Sequence, residues 1–256
     1  LMDIPDPVET KPYEAIANIY DRLMAHVQYR EWSDFIHLLL HQFSPVKAPE
    51  VLELACGTGI MAGLLAEKGL KVTGYDRSPG MIEVARRKRC RPSLKFEVAD
   101  FANFPTEPQY PAAICLYDSI NYLMELDQVI DFIRRVKEAL VPGGIFIFDI
   151  CTRYNSRTYF REWYDTGSIG DYYYTRFSDY NPRTHIHINR FSLAKESDPE
   201  VFYQESHTQY IYSTRTIESA ISRAGLQLID KFDDISVRKP SRTSLRIHFL
   251  CRKESG

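Results

Sequence analysis

No stretch of this chain reaches the roughly 20 consecutive apolar residues a membrane-crossing helix needs. Cysteines are few and unpatterned: Cys56, Cys90, Cys115, Cys151 and Cys251 are an odd set at scattered spacings. No pair has zinc-ligand spacing, no disulfide framework emerges, and a reducing, cytoplasmic setting fits best. An excess of charge is missing too. The formal net charge of −2 provides no global field to recruit nucleic acid or an anionic membrane. Internal repeats and low-complexity linkers are absent. The polar, Pro-rich start, Asp3-Ile-Pro-Asp-Pro7, is unlike a signal peptide, and Leu1 ahead of Met2 reads as an expression remnant. The 256 residues suffice for one full core with an insertion or small lobe.

Helical periodicity opens the chain. Ile16, Ile19, Tyr20, Leu23 and Val27 form one stripe within 13–43, and Phe35, Ile36, Leu39 and Leu40 form another. From residue 49 the pattern alternates. Strands are predicted at 51–55, 71–76, 94–98, 112–117 and 144–150, with helices at 60–68, 79–89 and 126–140. Gly69, Pro79, Pro92, Pro111 and Pro142-Gly-Gly144 sit where breakers belong. Short apolar strands alternating with amphipathic helices imply a mostly parallel sheet covered on both faces. Residues 151–213 differ. Asp171–Thr175, His185–Phe191 and Val201–Tyr212 are aromatic and β-branched and read as antiparallel strands, with turns at Asn181-Pro182 and Ser197-Asp-Pro199. A helix at 214–224 and strands at 226–235 and 244–252 complete the α/β pattern. The expected organisation is a helical lead-in or lid (1–48), a Rossmann-like core (49–150), a β-rich insertion over the substrate (151–213) and the rest of the core sheet (214–256).

Val51–Gly59 carries the chemistry: an apolar strand breaking into a Gly-rich turn that opens a helix. Such a turn brings bare backbone N–H groups and a helix N-terminus to a ligand. Glu53 stands just before the first glycine. A loop that only cradles pyrophosphate gains nothing from an acid there, whereas one that holds a cationic amine does. That favours S-adenosylmethionine (SAM) over a dinucleotide. Two further strand ends agree. Asp76 closes the second strand, where a carboxylate can accept ribose hydroxyls. Asp100 closes the third, where it can accept an adenine amino group, with Phe101 beside the ring and Met81 and Ile82 on its other face. A nicotinamide or flavin site, and with it an NAD(P)-dependent oxidoreductase, is the rival reading of Gly57-x-Gly59-x-x-Ala62.

Leu52–Gly59, Gly74–Ser78 with Met81, Val98–Phe101 and Leu140–Gly144 together resemble the ordered motifs of class I SAM-dependent methyltransferases. The resemblance implies a seven-stranded sheet whose last strand is antiparallel. It also implies a cofactor site at Tyr20, Tyr29, Glu53, Ala55, Gly57, Thr58, Gly59, Asp76, Arg77, Met81, Ala99, Asp100, Phe101 and Tyr117. The lead-in Ile19–Met24 with Tyr29 and Trp32, the insertion, and Gln204–Tyr210 are similar to small-molecule methyltransferases that include the nucleotide-sugar N-methyltransferases. In that group the lead-in folds over the cofactor and the inserted strands roof the substrate, which brings Tyr20 and Tyr29 to the methionine end of SAM. Tyr122 stands where some sugar N-methyltransferases carry a histidine.

Methyl transfer requires a nucleophile held in line with the donor, and a proton acceptor if that nucleophile is a hydroxyl or an ammonium. Neither Asn-Pro-Pro-Tyr nor Asp-Pro-Pro-Tyr occurs, which argues against amino groups of DNA bases or of glutamine. His207, with Glu205 on the same strand face, is the candidate base. Tyr20 and Tyr122 complete the candidate catalytic set. His185 and His187 read as a solvated strand face rather than a metal site, and Asp149 as a sheet-edge hydrogen-bonding group rather than a magnesium ligand. Tyr172, Tyr173, Tyr174 and Phe177 are candidates for an aromatic wall. Arg176, Arg215 and Arg246 could bind an acidic substrate group. The basic run Arg86–Arg91 reads as a solvated helix end offsetting the dipole. The expected activity is SAM-dependent methylation of a small molecule, N- preferred over O-, with no metal, nucleic acid or membrane partner and room for a homodimer. The alternative on this fold is a non-catalytic SAM-binding protein.

Overall fold

The computed structural model describes residues 7–47 and 49–255. Leu1, most of the Pro-rich start and the expected boundary residue 48 fall outside them. Seven strands form the main sheet: β2 (Glu50–Leu54), β3 (Lys71–Asp76), β4 (Leu94–Val98), β5 (Tyr110–Cys115), β6 (Leu140–Cys151), β11 (Gln227–Asp233) and β12 (Arg246–Arg252). Their order is β11-β12-β6-β5-β2-β3-β4, and β12 runs antiparallel to both of its neighbours. This is the expected Rossmann-like sheet with one reversed strand.

Helices α3 (Ile60–Glu67), α4 (Pro79–Lys88), α5 (Leu126–Ala139) and α7 (Thr214–Ala224) cover the sheet. Their apolar stripes bury Leu65, Ile82, Ile133 and Ile221 among others. The caps follow sequence chemistry. Ser78 accepts the Met81 N–H, with Pro79 pre-set at the first helical position, and Ser213 caps α7 in the same way. Two apolar clusters result, one on each sheet face.

The lead-in is less helical than its stripe predicts. Only α1 (Tyr20–Leu23) and α2 (Tyr29–Phe43) are helices, and residues 12–19 are turns. The chain there is held by side chains from elsewhere rather than by its own ladder. The predicted stripe Phe35, Ile36, Leu39 and Leu40 of α2 is buried against the sheet, and Trp32 joins it.

A second, five-stranded sheet has the order β1 (Val8–Thr10), β10 (Asp198–Tyr210), β9 (Ile186–Lys195), β8 (Tyr172–Asn181), β7 (Trp163–Ile169). Its antiparallel strands are β7, β8, β9 and β10. Sequence reading missed two of its features. A helix α6 (Arg153–Tyr159), capped by Thr152, precedes the strands. The N-terminal strand β1 (Val8–Thr10) joins β10 in parallel, which brings the lead-in onto the insertion.

Candidate active site

The Gly-rich turn after β2 depends on backbone that most side chains resist. Ala55, Gly57 and Gly59 all have positive φ (56°, 54° and 73°). A Cβ on Gly59 would stand 2.6 Å from Phe96 Cζ, so only glycine lets α3 start against β4. Asp76 locks this turn to the next one. One carboxylate oxygen accepts the Gly57 N–H at 2.8 Å and the other accepts the Ser78 N–H at 2.9 Å. Burial raises its pKa above the ordinary value despite these bonds.

Glu53 is buried at 4% exposure, and its Oε2 has no hydrogen-bond partner. Burial, reinforced by the negative charge of Asp76, pushes its pKa up to about 8. A buried carboxylate oxygen left without a partner is costly unless a ligand supplies one. The oxygen belongs to a residue lining a cavity of about 1090 Å³, counting the space at its open mouth. The same cavity is lined by Ala55, Gly57, Thr58, Asp76, Arg77, Met81, Ala99, Asp100 and Phe101, and on its other side by Tyr20, Tyr29 and Tyr117. Phe101 is braced by Phe132 at a ring separation of 4.3 Å.

The lead-in closes over this cavity and is tied at several points. Asp21 accepts from the Thr58 hydroxyl and pairs with Lys88 and Arg89, each at 3.0 Å. The basic run at the end of α4 therefore does more than offset a helix dipole; three of its cations, Arg87, Lys88 and Arg89, hold the lead-in, the first through Asn18 Oδ1 at 3.1 Å. Ser78 Oγ donates to the Tyr13 carbonyl at 3.1 Å. From the other sheet, the fully buried Glu205 accepts the backbone N–H groups of Tyr13, Ala15 and Ile16.

A second cavity, of about 810 Å³ with its open mouth, lies against the inserted sheet. Tyr13, Tyr20, Tyr117 and Tyr122 line both cavities. A continuous polar chain ends at this seam. Tyr13 Oη lies 2.6 Å from Tyr122 Oη, Tyr122 Oη lies 3.0 Å from His207 Nδ1, and His207 Nε2 lies 3.0 Å from Glu205 Oε2. The carboxylate end fixes the direction. Glu205 already accepts three backbone N–H groups, so it acts as an acceptor here too and takes a hydrogen bond from His207 Nε2. Nδ1 then offers its lone pair to the Tyr122 hydroxyl, and Tyr122 accepts from Tyr13. Burial raises the pKa of both tyrosines well above the ordinary phenol value, so both are protonated near neutrality. His207 and Tyr122 were legible as candidates. Tyr13 was not, because its partner carboxylate lies 192 residues away and no local pattern marks it.

Next to the seam, Asp149 holds a strained turn. Its oxygens accept the N–H groups of Tyr117 (2.6 Å) and Asp118 (2.8 Å), consecutive residues at φ 61° and 51°. Arg246 pairs with both Asp149 and Asp118, and its guanidinium lies 4.7 Å from the centre of the Tyr117 ring. Gln209 donates to the other oxygen of Asp118 at 2.6 Å. Asp149 is thus the hydrogen-bonding group expected, though it acts on a loop end rather than along a sheet edge.

Other expectations fail. His187 is not solvated: it is 4% exposed and lines the second cavity, and burial lowers its pKa to about 4. His185 precedes β9, at φ 60°, and lies next to Tyr180 Oη instead of sharing a strand face with His187. The proposed aromatic wall lines neither cavity. Tyr172 and Tyr174 pack on the Ile16 cluster, Tyr173 is half exposed, and Phe177 meets Tyr164. Ile82 packs in the core and Gly59 lies beneath its loop, so neither lines the cofactor-sized cavity. Arg215 is exposed on α7.

Residues 51–144 match a family described as Methyltransferase domain. The chain is 30% identical to the putative methyltransferase YqeM of Bacillus subtilis over 247 residues, 94% of this chain and 97% of that one. The chain belongs to the SAM-dependent methyltransferases. An S-adenosylmethionine-dependent methyltransferase from Clostridium acetobutylicum superposes with a TM-score of 0.80 at 26% identity, covering 94% of this chain and 99% of the other. A further relative, 25% identical over 226 residues (83% of this chain, 84% of the relative), is the dTDP-3-amino-3,6-dideoxy-alpha-D-glucopyranose N,N-dimethyltransferase of Streptomyces fradiae. SAM is the methyltransferase's cofactor, and the first cavity fits it. Its unpartnered Glu53 oxygen is an open acceptor of the kind a cationic amine needs. Among the described residues no helix is long and apolar enough to cross a membrane.

Proposed function

We propose that this methyltransferase methylates the nitrogen of a small molecule held in the second cavity. The observation that carries the reading is the seam of four tyrosines, where the two cavities meet and the Tyr13–Tyr122–His207–Glu205 chain ends. SAM, when bound, supplies an activated methyl group on a cationic sulfur. Around it, Glu53 would hold the amino group, Asp76 the ribose, and Asp100 with Phe101 and Met81 the adenine. Tyr20, Tyr29 and Tyr117 would exclude water from the methionine end.

An amine acceptor must be deprotonated to be a nucleophile. Its proton enters at Tyr13 Oη, the Tyr13 proton moves to Tyr122, and the Tyr122 proton moves to His207 Nδ1. The resulting imidazolium is stabilised by Glu205, as in a catalytic triad. Nitrogen is favoured over oxygen by the charge at the Asp118 end of the cavity, away from Arg176. Asp118 and Asp149 offer two carboxylates to one guanidinium, Arg246, and Asp118 lines the cavity. The amino-sugar activity named for the Streptomyces fradiae relative supports an amine as well.

Incubation with methyl-labelled SAM and fractionated low-mass metabolites tests this. Label is expected in a small amine. Tyr122→Phe is expected to slow the transfer by about 10²–10⁴-fold with SAM affinity unchanged. Label appearing only on protein or nucleic acid, or an unaltered rate in Tyr122→Phe, would contradict the proposal.

A further inference from the structure

The second cavity holds two polar side chains whose bonding is incomplete. Arg176 projects from β8, and its Nε and one Nη donate to Asn189 Oδ1 at 3.2 and 2.8 Å. Its guanidinium lies 5.2–5.8 Å from the ring centres of Phe160, Trp163 and Phe191. No carboxylate among the described residues lies within ion-pair distance. Asp165 faces Arg176 across the β7–β8 ladder, but it accepts from Tyr174 Oη instead. Asp118, the carboxylate lining the cavity, is taken by Arg246 and Gln209. A partly buried cation without a counter-charge is costly, and three aromatic faces offset only part of that cost.

His187, on the neighbouring strand β9, lines the same cavity. Its Nδ1 lies 3.3 Å from Ser156 Oγ, and its Nε2 is buried without a partner. When Ser156 donates to Nδ1, Nε2 carries the proton and becomes a free donor. Two strands thus bring an uncompensated guanidinium and an unused N–H donor to one cavity. Both are donors, and one carries full positive charge, which is the complement of an oxyanion and not of a neutral sugar face.

We propose that Arg176 and His187 form an oxyanion subsite in the second cavity, so that the acceptor is an amine that also carries a carboxylate or a phosphate. This rests on reading the second cavity as the acceptor's. It makes Arg176 the specificity-determining residue. The amine end lies toward Asp118 and the tyrosine seam, and the anionic end toward β8 and β9.

The test is calorimetric titration of the SAM-saturated protein at constant ionic strength, with acetate in one arm and inorganic phosphate in the other. One of the two is expected to bind saturably, one per chain, and the arm that does so identifies the anion. Arg176→Gln should weaken that binding at least tenfold, and Arg176→Lys, which keeps the charge without the fork, should fall between. Saturable binding of neither anion, or equal binding by Arg176→Gln, overturns the proposal. SAM titration of the same samples separates the two levels: unchanged SAM affinity with no anion binding removes only the subsite, whereas loss of SAM binding in the wild type removes the underlying reading.

Discussion

Glu205→Ala is expected to lower folding stability by about 3–6 kcal/mol, because three backbone N–H groups, one buried and two partly buried, each lose their acceptor at about 1–2 kcal/mol apiece. Those groups belong to Tyr13, Ala15 and Ile16, which have no helical ladder of their own. The same change removes the partner of His207 Nε2 and frees Tyr13 from the seam. Methyl transfer should therefore fall by at least about 10²-fold even in protein that remains folded. Glu205→Gln should not rescue it, since an amide NH2 would face groups that are themselves donors. Urea denaturation and a labelled-methyl assay read both effects. A stability change below about 1 kcal/mol would show that the carboxylate does not anchor the lead-in.

Asp149→Ala is the second large effect. Non-glycine residues with positive φ are strained by about 1–2 kcal/mol each, and here Tyr117 and Asp118 are consecutive. Asp149 compensates by accepting both of their N–H groups and pairing with Arg246. Removing one partner of a buried charge pair typically costs about 3–5 kcal/mol. The Asp118 pairing softens the loss at Arg246, while the two orphaned N–H groups add to it. Tyr117 lines both cavities, so its displacement should weaken SAM binding as well as transfer. Asp149→Asn keeps one good acceptor and should lie between. Thermal unfolding with and without SAM distinguishes these outcomes. Wild-type SAM affinity in Asp149→Ala would mean that the turn holds itself.

Legibility in the sequence followed the range of the interaction. The parallel sheet and its strand-end acids were readable because periodicity and the Gly57–Gly59 turn are local signals. His207 and Glu205 were readable as a pair because they are two apart on one strand. Tyr13, by contrast, gains its role from Glu205 and Tyr122, which only the assembled fold brings near. The lead-in stripe was over-read as helix because side-chain anchors from β10 and α4 replace a backbone ladder. His187 was misread as solvated because strand alternation identifies two faces without saying that both are covered. The aromatic run 172–174 was misplaced for a related reason: its apolar faces pack on Ile16, Phe191 and Leu193 rather than on a ligand.

Glu53 is a buried carboxyl with an unpartnered oxygen at the first cavity. In the free protein its pKa is raised to about 8, so the carboxyl is protonated near neutrality. A raised carboxyl pKa means that its contribution to stability is present below the ordinary value of 4.5 and is lost as pH rises through about 8. A bound ammonium would reverse the shift and expel the proton. The decisive measurement is SAM titration at pH 7 by calorimetry in two buffers of different ionisation enthalpy. The wild type should release close to one proton, whereas Glu53→Gln should release less by nearly that amount and bind about tenfold more weakly or worse, as expected when a charge-assisted hydrogen bond worth about 1.5–3 kcal/mol is lost. Equal proton release and equal affinity in the two proteins would contradict the account.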